Sequence, residues 1–122
     1  MTGRPEVGGL AIDTIEVDGR PVTRISGEVD LVGVALVRAE LAGRLALRPP
    51  ALVVDLTAVT ILGSLGIAAL LDAHHRAAAT GVGFAVVASH RSVLRPLRLT
   101  EVDRLLTVAP TLEHALAATG AG

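Results

Sequence analysis

The sequence predicts an α/β fold, a small mixed β-sheet of about four to five strands flanked by about four helices. Three observations lead there. The stretch from Leu52 to Leu71, LVVDLTAVTILGSLGIAALL, reads as a buried strand, a glycine-serine turn and an amphipathic helix. Asp18-Gly19 lies between two β-branched runs, the signal of a tight hairpin. Gly83 to Ala88 is a second buried run, and the helix separating it from the first makes their pairing parallel.

Taken in order, Leu10 to Val17 and Pro21 to Gly27 are the two hairpin strands, with Pro21 at a strand start where a missing N–H is tolerable. Asp30 then stands at the head of a helix over residues 31–47, as an N-cap. Val34, Val37, Leu41 and Leu45 recur on one face of that helix, and Pro49-Pro50 stops it. Leu52 to Leu56 is the central strand and Thr57 to Leu62 its connection. Ser64 is placed to cap the next helix, which buries Ile67, Leu70, Leu71 and His74 and turns Asp72, His75 and Arg76 outward. Thr80-Gly81 ends it. A short helix over 92–97 follows Ser89-His90-Arg91, an edge strand is expected over 105–108, and Thr111-Leu112-Glu113 opens the last helix. The expected organisation is a tail at residues 1–8, one domain at 9–118 and a frayed end at 119–122.

Bulk properties narrow the function. A chain of 122 residues, half of them apolar, suffices for one domain with its own core. No apolar run nears the roughly 18 residues of a membrane span, and MTGRPEVGG lacks the apolar segment of a secretory signal, so a soluble cytoplasmic protein is expected. With no cysteine, thiol catalysis and cysteine-bound zinc are excluded. A net charge of −1 with one Phe and no Trp or Tyr argues against nucleic-acid binding.

Gly27-Glu28-Val29-Asp30 at the end of the second strand, followed by VVDLTAVTILGSLGIAALL, resembles the STAS domain over roughly Gly9 to Ala118. That family includes the bacterial anti-sigma factor antagonists. The resemblance implies a domain, not an enzyme, that binds an anti-sigma factor, an ATP-binding kinase-like protein, and so releases a sigma factor. It implies no cofactor or metal. Its alternative is a STAS scaffold subunit in a larger signalling or membrane-transport complex, and an exposed edge strand would also allow a homodimer.

In the family the central turn reads Asp-Ser-Ser-Gly, and the partner phosphorylates the second serine. Setting Gly66 on the motif's glycine puts Gly63 at the aspartate, Ser64 at the first serine and Leu65 at the phosphorylated one. The resemblance thus implies partner contacts at Asp30, Gly63, Ser64, Leu65 and Gly66 without the usual phosphoswitch. Ser64 remains as a candidate phosphorylation site, one residue and about 100° of helix away. Shifting the alignment by one would put Ser64 on the site but displace the glycine and the apolar face.

Other chemistry is weaker. A serine-hydrolase elbow needs glycine two before and two after the serine, and Leu62 occupies the first of those positions. His74 and His75 point about 100° apart on a helix, which disfavours a shared metal, and His75 with Asp72 suits an exposed pair. Arg91, Arg95 and Arg98 make a basic stripe, ordinary for a solvated face but also suited to an acidic partner or an anionic nucleotide.

Overall fold

The computed structural model describes residues 6–120. The elements are β1 (Glu6–Val7), β2 (Leu10–Val17), β3 (Arg20–Val29), α1 (Val34–Ala46), β4 (Ala51–Leu62), α2 (Ser64–Thr80), β5 (Gly83–Val87), α3 (Arg91–Leu99), a 3-10 turn (Val102–Arg104), β6 (Val108–Ala109) and α4 (Leu112–Ala118). They form one mixed sheet in the order β1-β2-β3-β4-β5-β6, antiparallel through β3 and parallel beyond it. The described residues thus hold four helices and six strands, more strands than expected. The additional strand is β1, at Glu6–Val7, within the stretch expected to be a tail; it pairs with Leu10 and Ala11.

The hairpin forms as expected. Asp18 and Gly19 both take positive φ, at 52° and 76°, which gives the turn the twist of its strands and pairs Val17 with Arg20. Gly27 is also required: it holds φ 87° opposite Leu10, where an added Cβ would lie 1.8 Å from the Gly9 carbonyl oxygen.

The largest departure is in β4. Thr57 to Leu62, expected to be a connection, continues the strand, because β3 also runs on to Val29 and supplies a partner. Register shifts between Arg24 and Ser26 and between Gly27 and Glu28 keep the pair together. At the first of these irregularities, the Asp55 carboxylate accepts hydrogen bonds from the Thr57 backbone and hydroxyl. Along β4, β5 pairs with Ala51 to Asp55 alone, so β4 overruns it by several residues, and α3 packs against β4.

The two sheet faces bury different sets. Leu10, Ile12, Ile25, Leu52, Val54 and Val86 meet α1, α2 and α3 on one face; Val22, Val53, Ala85 and Val87 meet α4 on the other. Both faces of the central strands are therefore apolar, as a continuous apolar run requires. Helix α1 buries Val37, Leu41 and Leu45 as expected. In α2 the buried face is Gly66, Ile67, Ala69, Leu70, Ala73 and Ala77, with Leu71 and His74 half-buried at its margin. The centre shifts because Ala69 and Ala73 turn toward Leu41 and Leu45 of α1 along the helix seam. Asp72 pairs there with Arg38, in place of the expected His75. The final strand lies at Val108–Ala109, since Val102–Arg104 turns first and Leu106 drops into the core.

The first turn of α2 rests directly on the end of β3. A Cβ at Gly66 would sit 2.7 Å from Val29 Cγ1 and 2.9 Å from Leu62 Cδ1; at Gly63 the nearest atom would be the Val29 carbonyl oxygen at 3.4 Å. Gly66→Ala is expected to cost about 1–3 kcal/mol in urea unfolding, and Gly63→Ala less than about 1 kcal/mol.

One polar thread crosses from sheet to α1. Thr23, fully buried, contacts Thr14 Oγ1 at 2.8 Å, and Thr14 Oγ1 donates to Glu40 Oε2 at 2.6 Å. A carboxylate accepts only, so the Thr14 proton goes to Glu40 and Thr23 donates to Thr14. Arg44 Nε completes the thread, donating to Glu40 at 2.9 Å. Burial pushes the Glu40 carboxyl up, but the bonds from Thr14 and Arg44 and the Arg44 charge outweigh it and hold it below its ordinary 4.5. A carboxyl lowered on folding adds stability above its ordinary value, and that stability is lost as pH falls through the lower folded value. Arg44→Gln should therefore cost about 0.5–1 kcal/mol at neutral pH, and the gap to the parent chain should close as urea titrations move down from the ordinary 4.5 through the lower folded value.

Candidate functional site

The ends of β3 and β4, with the turn that follows each, form one corner of the molecule. Val29 closes β3, and its carbonyl accepts the Gly63 N–H at 3.0 Å. That bond ties the start of α2 to the point where the chain leaves the sheet for α1. Asp30 follows Val29, and its Oδ1 lies 3.5 Å from where a Gly63 Cβ would be. The carboxylate therefore sits beside the opening of α2, where the helix dipole favours negative charge.

Neither expected cap is present. Helix α1 starts at Val34 behind Gly33, three residues later than Asp30 would set it. The Asp30 carboxylate instead accepts from its neighbour Leu31 N at 2.7 Å, and its carbonyl accepts from Gly33 N and Val34 N. A turn over 30–33 intervenes because Gly33 must pass close to Leu10, where a Cβ would lie 3.1 Å from that side chain. In α2 the capping position is Gly63, extended at φ −82° and ψ 174°, and Ser64 is the first helical residue with no capping bond. The first intrahelical bond runs from Ile67 N to the Gly63 carbonyl, so the Ser64, Leu65 and Gly66 amides precede it as the donors of a helix start.

Of the residues singled out in the sequence, Asp30, Gly63, Ser64 and Leu65 come together at this corner, and Asp30, Ser64 and Leu65 are exposed. Gly66 differs. It is buried against Val29 and Leu62, where its backbone positions the turn. Leu65 keeps 41% of its surface in solvent. Sequence reasoning missed further exposed apolar residues in the turn after β3 and near the end of β4. Leu31 is 72% exposed, Val32 65% and Ile61 48%. The sequence pattern places the first two in a helix and the third in a connection. The signal available was the apolar pair Leu31-Val32 directly after Asp30, ahead of the regular helical spacing that begins at Val34.

The other candidates lie apart. Among the described residues nothing hydrogen-bonds the Ser64 hydroxyl, and no group of three His, Cys, Asp or Glu could hold a metal ion. His74 lies against Phe84, ring centroids 6.2 Å apart, and His114 bonds to Thr111. Arg91, Arg95 and Arg98 line an open groove on α3 with Ser89, Leu94 and Leu99. Among the described residues no helix is long and apolar enough to cross a membrane.

Comparison with known proteins agrees with this geometry. The anti-sigma-F factor antagonist RsfB of Mycobacterium tuberculosis is 34% identical over 107 residues, 88% of this chain and 87% of that protein. The crystal structure of an anti-sigma factor antagonist from Mycobacterium paratuberculosis superposes with a TM-score of 0.80 at 33% identity, covering 90% of this chain and 93% of the other. The unphosphorylated anti-sigma factor antagonist SpoIIAA shares the fold at a TM-score of 0.68 and 14% identity, over 88% of this chain and 94% of its own. The family model of the STAS domain matches residues 11–115, from β2 into α4 and across the whole corner described above, and the chain belongs to that family.

Proposed function

We propose that this protein is an anti-sigma factor antagonist: it binds an anti-sigma factor, an ATP-binding kinase-like protein, and thereby frees a sigma factor. The observation that carries the reading is the corner itself, in a chain whose relatives at 33–34% identity bear that name. The strand ends and turns that build it carry the exposed Asp30 carboxylate at a helix opening and four apolar side chains, Leu31, Val32, Ile61 and Leu65, all partly in water. Covering such side chains supplies the apolar free energy of association, and Asp30 sets orientation and rejects wrongly charged partners.

The usual phosphoswitch is absent in this reading. A phosphate on the first turn of α2 would bring about −1.5 to −2 charges next to Asp30 and would have to be dehydrated under a partner. Leu65 has no hydroxyl to carry it. Ser64 is turned about 100° away on the helix, so a kinase aligned on position 65 does not meet its oxygen. The contact at Leu65 is permanently apolar, and control passes to the supply of the protein or the state of its partner.

Asp30→Lys should weaken binding to the purified anti-sigma factor at least about tenfold in calorimetric titration while the fold stays intact by circular dichroism; equal affinity would remove Asp30 from the interface. Incubated with that partner and ATP, the parent chain should stay unmodified by mass spectrometry, whereas Leu65→Ser should gain one phosphate. Stoichiometric phosphate on Ser64 of the parent chain would defeat the constitutive reading.

A further inference from the structure

All eleven basic residues of this protein are arginines. Arg24, Arg38, Arg44 and Arg104 pair with carboxylates, and Arg20 donates to the Leu116 carbonyl and the Thr119 hydroxyl. The side chains of Arg91, Arg95 and Arg98 have no ion pair or hydrogen bond among the described residues, and all three are exposed. They share one short helix, α3, whose sequence RSVLRPLRL holds no acidic residue.

Helix geometry turns that composition into a surface. Positions 91, 95 and 98 fall within about 60° of one another around the axis and span about 10 Å along it. Leu94, half-buried, borders the strip on one side and Leu99, 71% exposed, on the other. Val93 and Leu97 point the opposite way, into the core, so the strip cannot rotate out of view. The strip lines an open groove of about 590 Å³. Arg91 also occupies the first turn, where a helix dipole favours negative charge, and neither an acidic side chain nor a capping bond is present there.

We infer that this face of α3 is a second docking surface, and that its occupant is an acidic amphipathic helix of the anti-sigma factor. The inference rests on the antagonist reading above. One carboxylate per helical turn on the partner matches arginines spread over two turns, and apolar side chains on either flank meet Leu94 and Leu99. Three arginines strung along about 10 Å do not converge on a single phosphate. Nucleic acid would face a chain of net charge −1 with no Trp or Tyr and its one Phe buried, and an anionic membrane would face Glu101 and Asp103 directly after α3. α3 packs against β4, the strand that leads into α2.

The test is calorimetric titration of the purified anti-sigma factor at two salt concentrations, with circular dichroism as the folding control. The variant carries Arg91→Glu, Arg95→Glu and Arg98→Glu; if it does not fold, the same three positions are changed to Gln. The parent chain should bind more weakly at high salt. The variant should bind at least about tenfold more weakly at low salt, with most of the salt dependence gone, whereas Asp30→Lys should lose affinity but keep that dependence. Failure of the parent chain to bind overturns the antagonist reading and this one with it. Parent binding with an unaltered variant overturns this inference alone. So does binding to phosphatidylglycerol vesicles, or to inorganic phosphate, that the variant loses while keeping its affinity for the anti-sigma factor.

Discussion

The close approach of α2 to the end of β3 is the constraint on which the rest of this molecule depends. At Gly66 the helix backbone comes so near Val29 and Leu62 that a single methyl group has no room, and three residues earlier Gly63 donates its N–H to the Val29 carbonyl. Two glycines thus let a helix start and a strand end meet through their backbones. Everything at the corner inherits its position from that contact. Asp30 is the next residue after Val29, and Ser64 and Leu65 lie between the two glycines, so none needs a flexible loop to reach the others.

Such a corner needs a stiff support, and the sheet supplies it unevenly. β3 and β4 both run beyond the other strands, with local register shifts that let the pair bend without parting. Helix α3 packs against β4 and buries Val93 and Leu97, and α1 is fastened to the hairpin by the thread from Thr23 through Thr14 to Glu40 and Arg44. The corner is therefore made from strand ends and helix starts with little conformational entropy of their own. Leu65 sets an apolar side chain, 41% exposed, at the position that alignment on Gly66 gives to the second serine of the family motif.

Much of this architecture was legible in the chain. The Asp18-Gly19 hairpin, the parallel pairing of the two apolar runs, the buried face of α1 and the meeting of Asp30 with Gly63 to Leu65 follow from local backbone rules, periodicity and the resemblance of two motifs. What escaped were features that local pattern does not encode. Thr57 to Leu62 mixes hydroxyls and β-branched residues with no clean alternation, because register shifts break the period of two. Asp30 has the composition of a cap but heads a turn, since Gly33 must first pass Leu10. Ser64 likewise yields the capping position to Gly63, whose backbone is already held by Val29.

By itself the sequence determined the order of strands and helices, the hairpin and the chemical character of the corner, because backbone preference and hydrophobic period act over a few residues. Only the tertiary structure decided how far β3 and β4 extend, that Gly66 supports the site from beneath, and which apolar side chains stay in water. Those outcomes depend on what lies across the sheet or above the helix, and a residue's neighbours in space are not its neighbours in the chain.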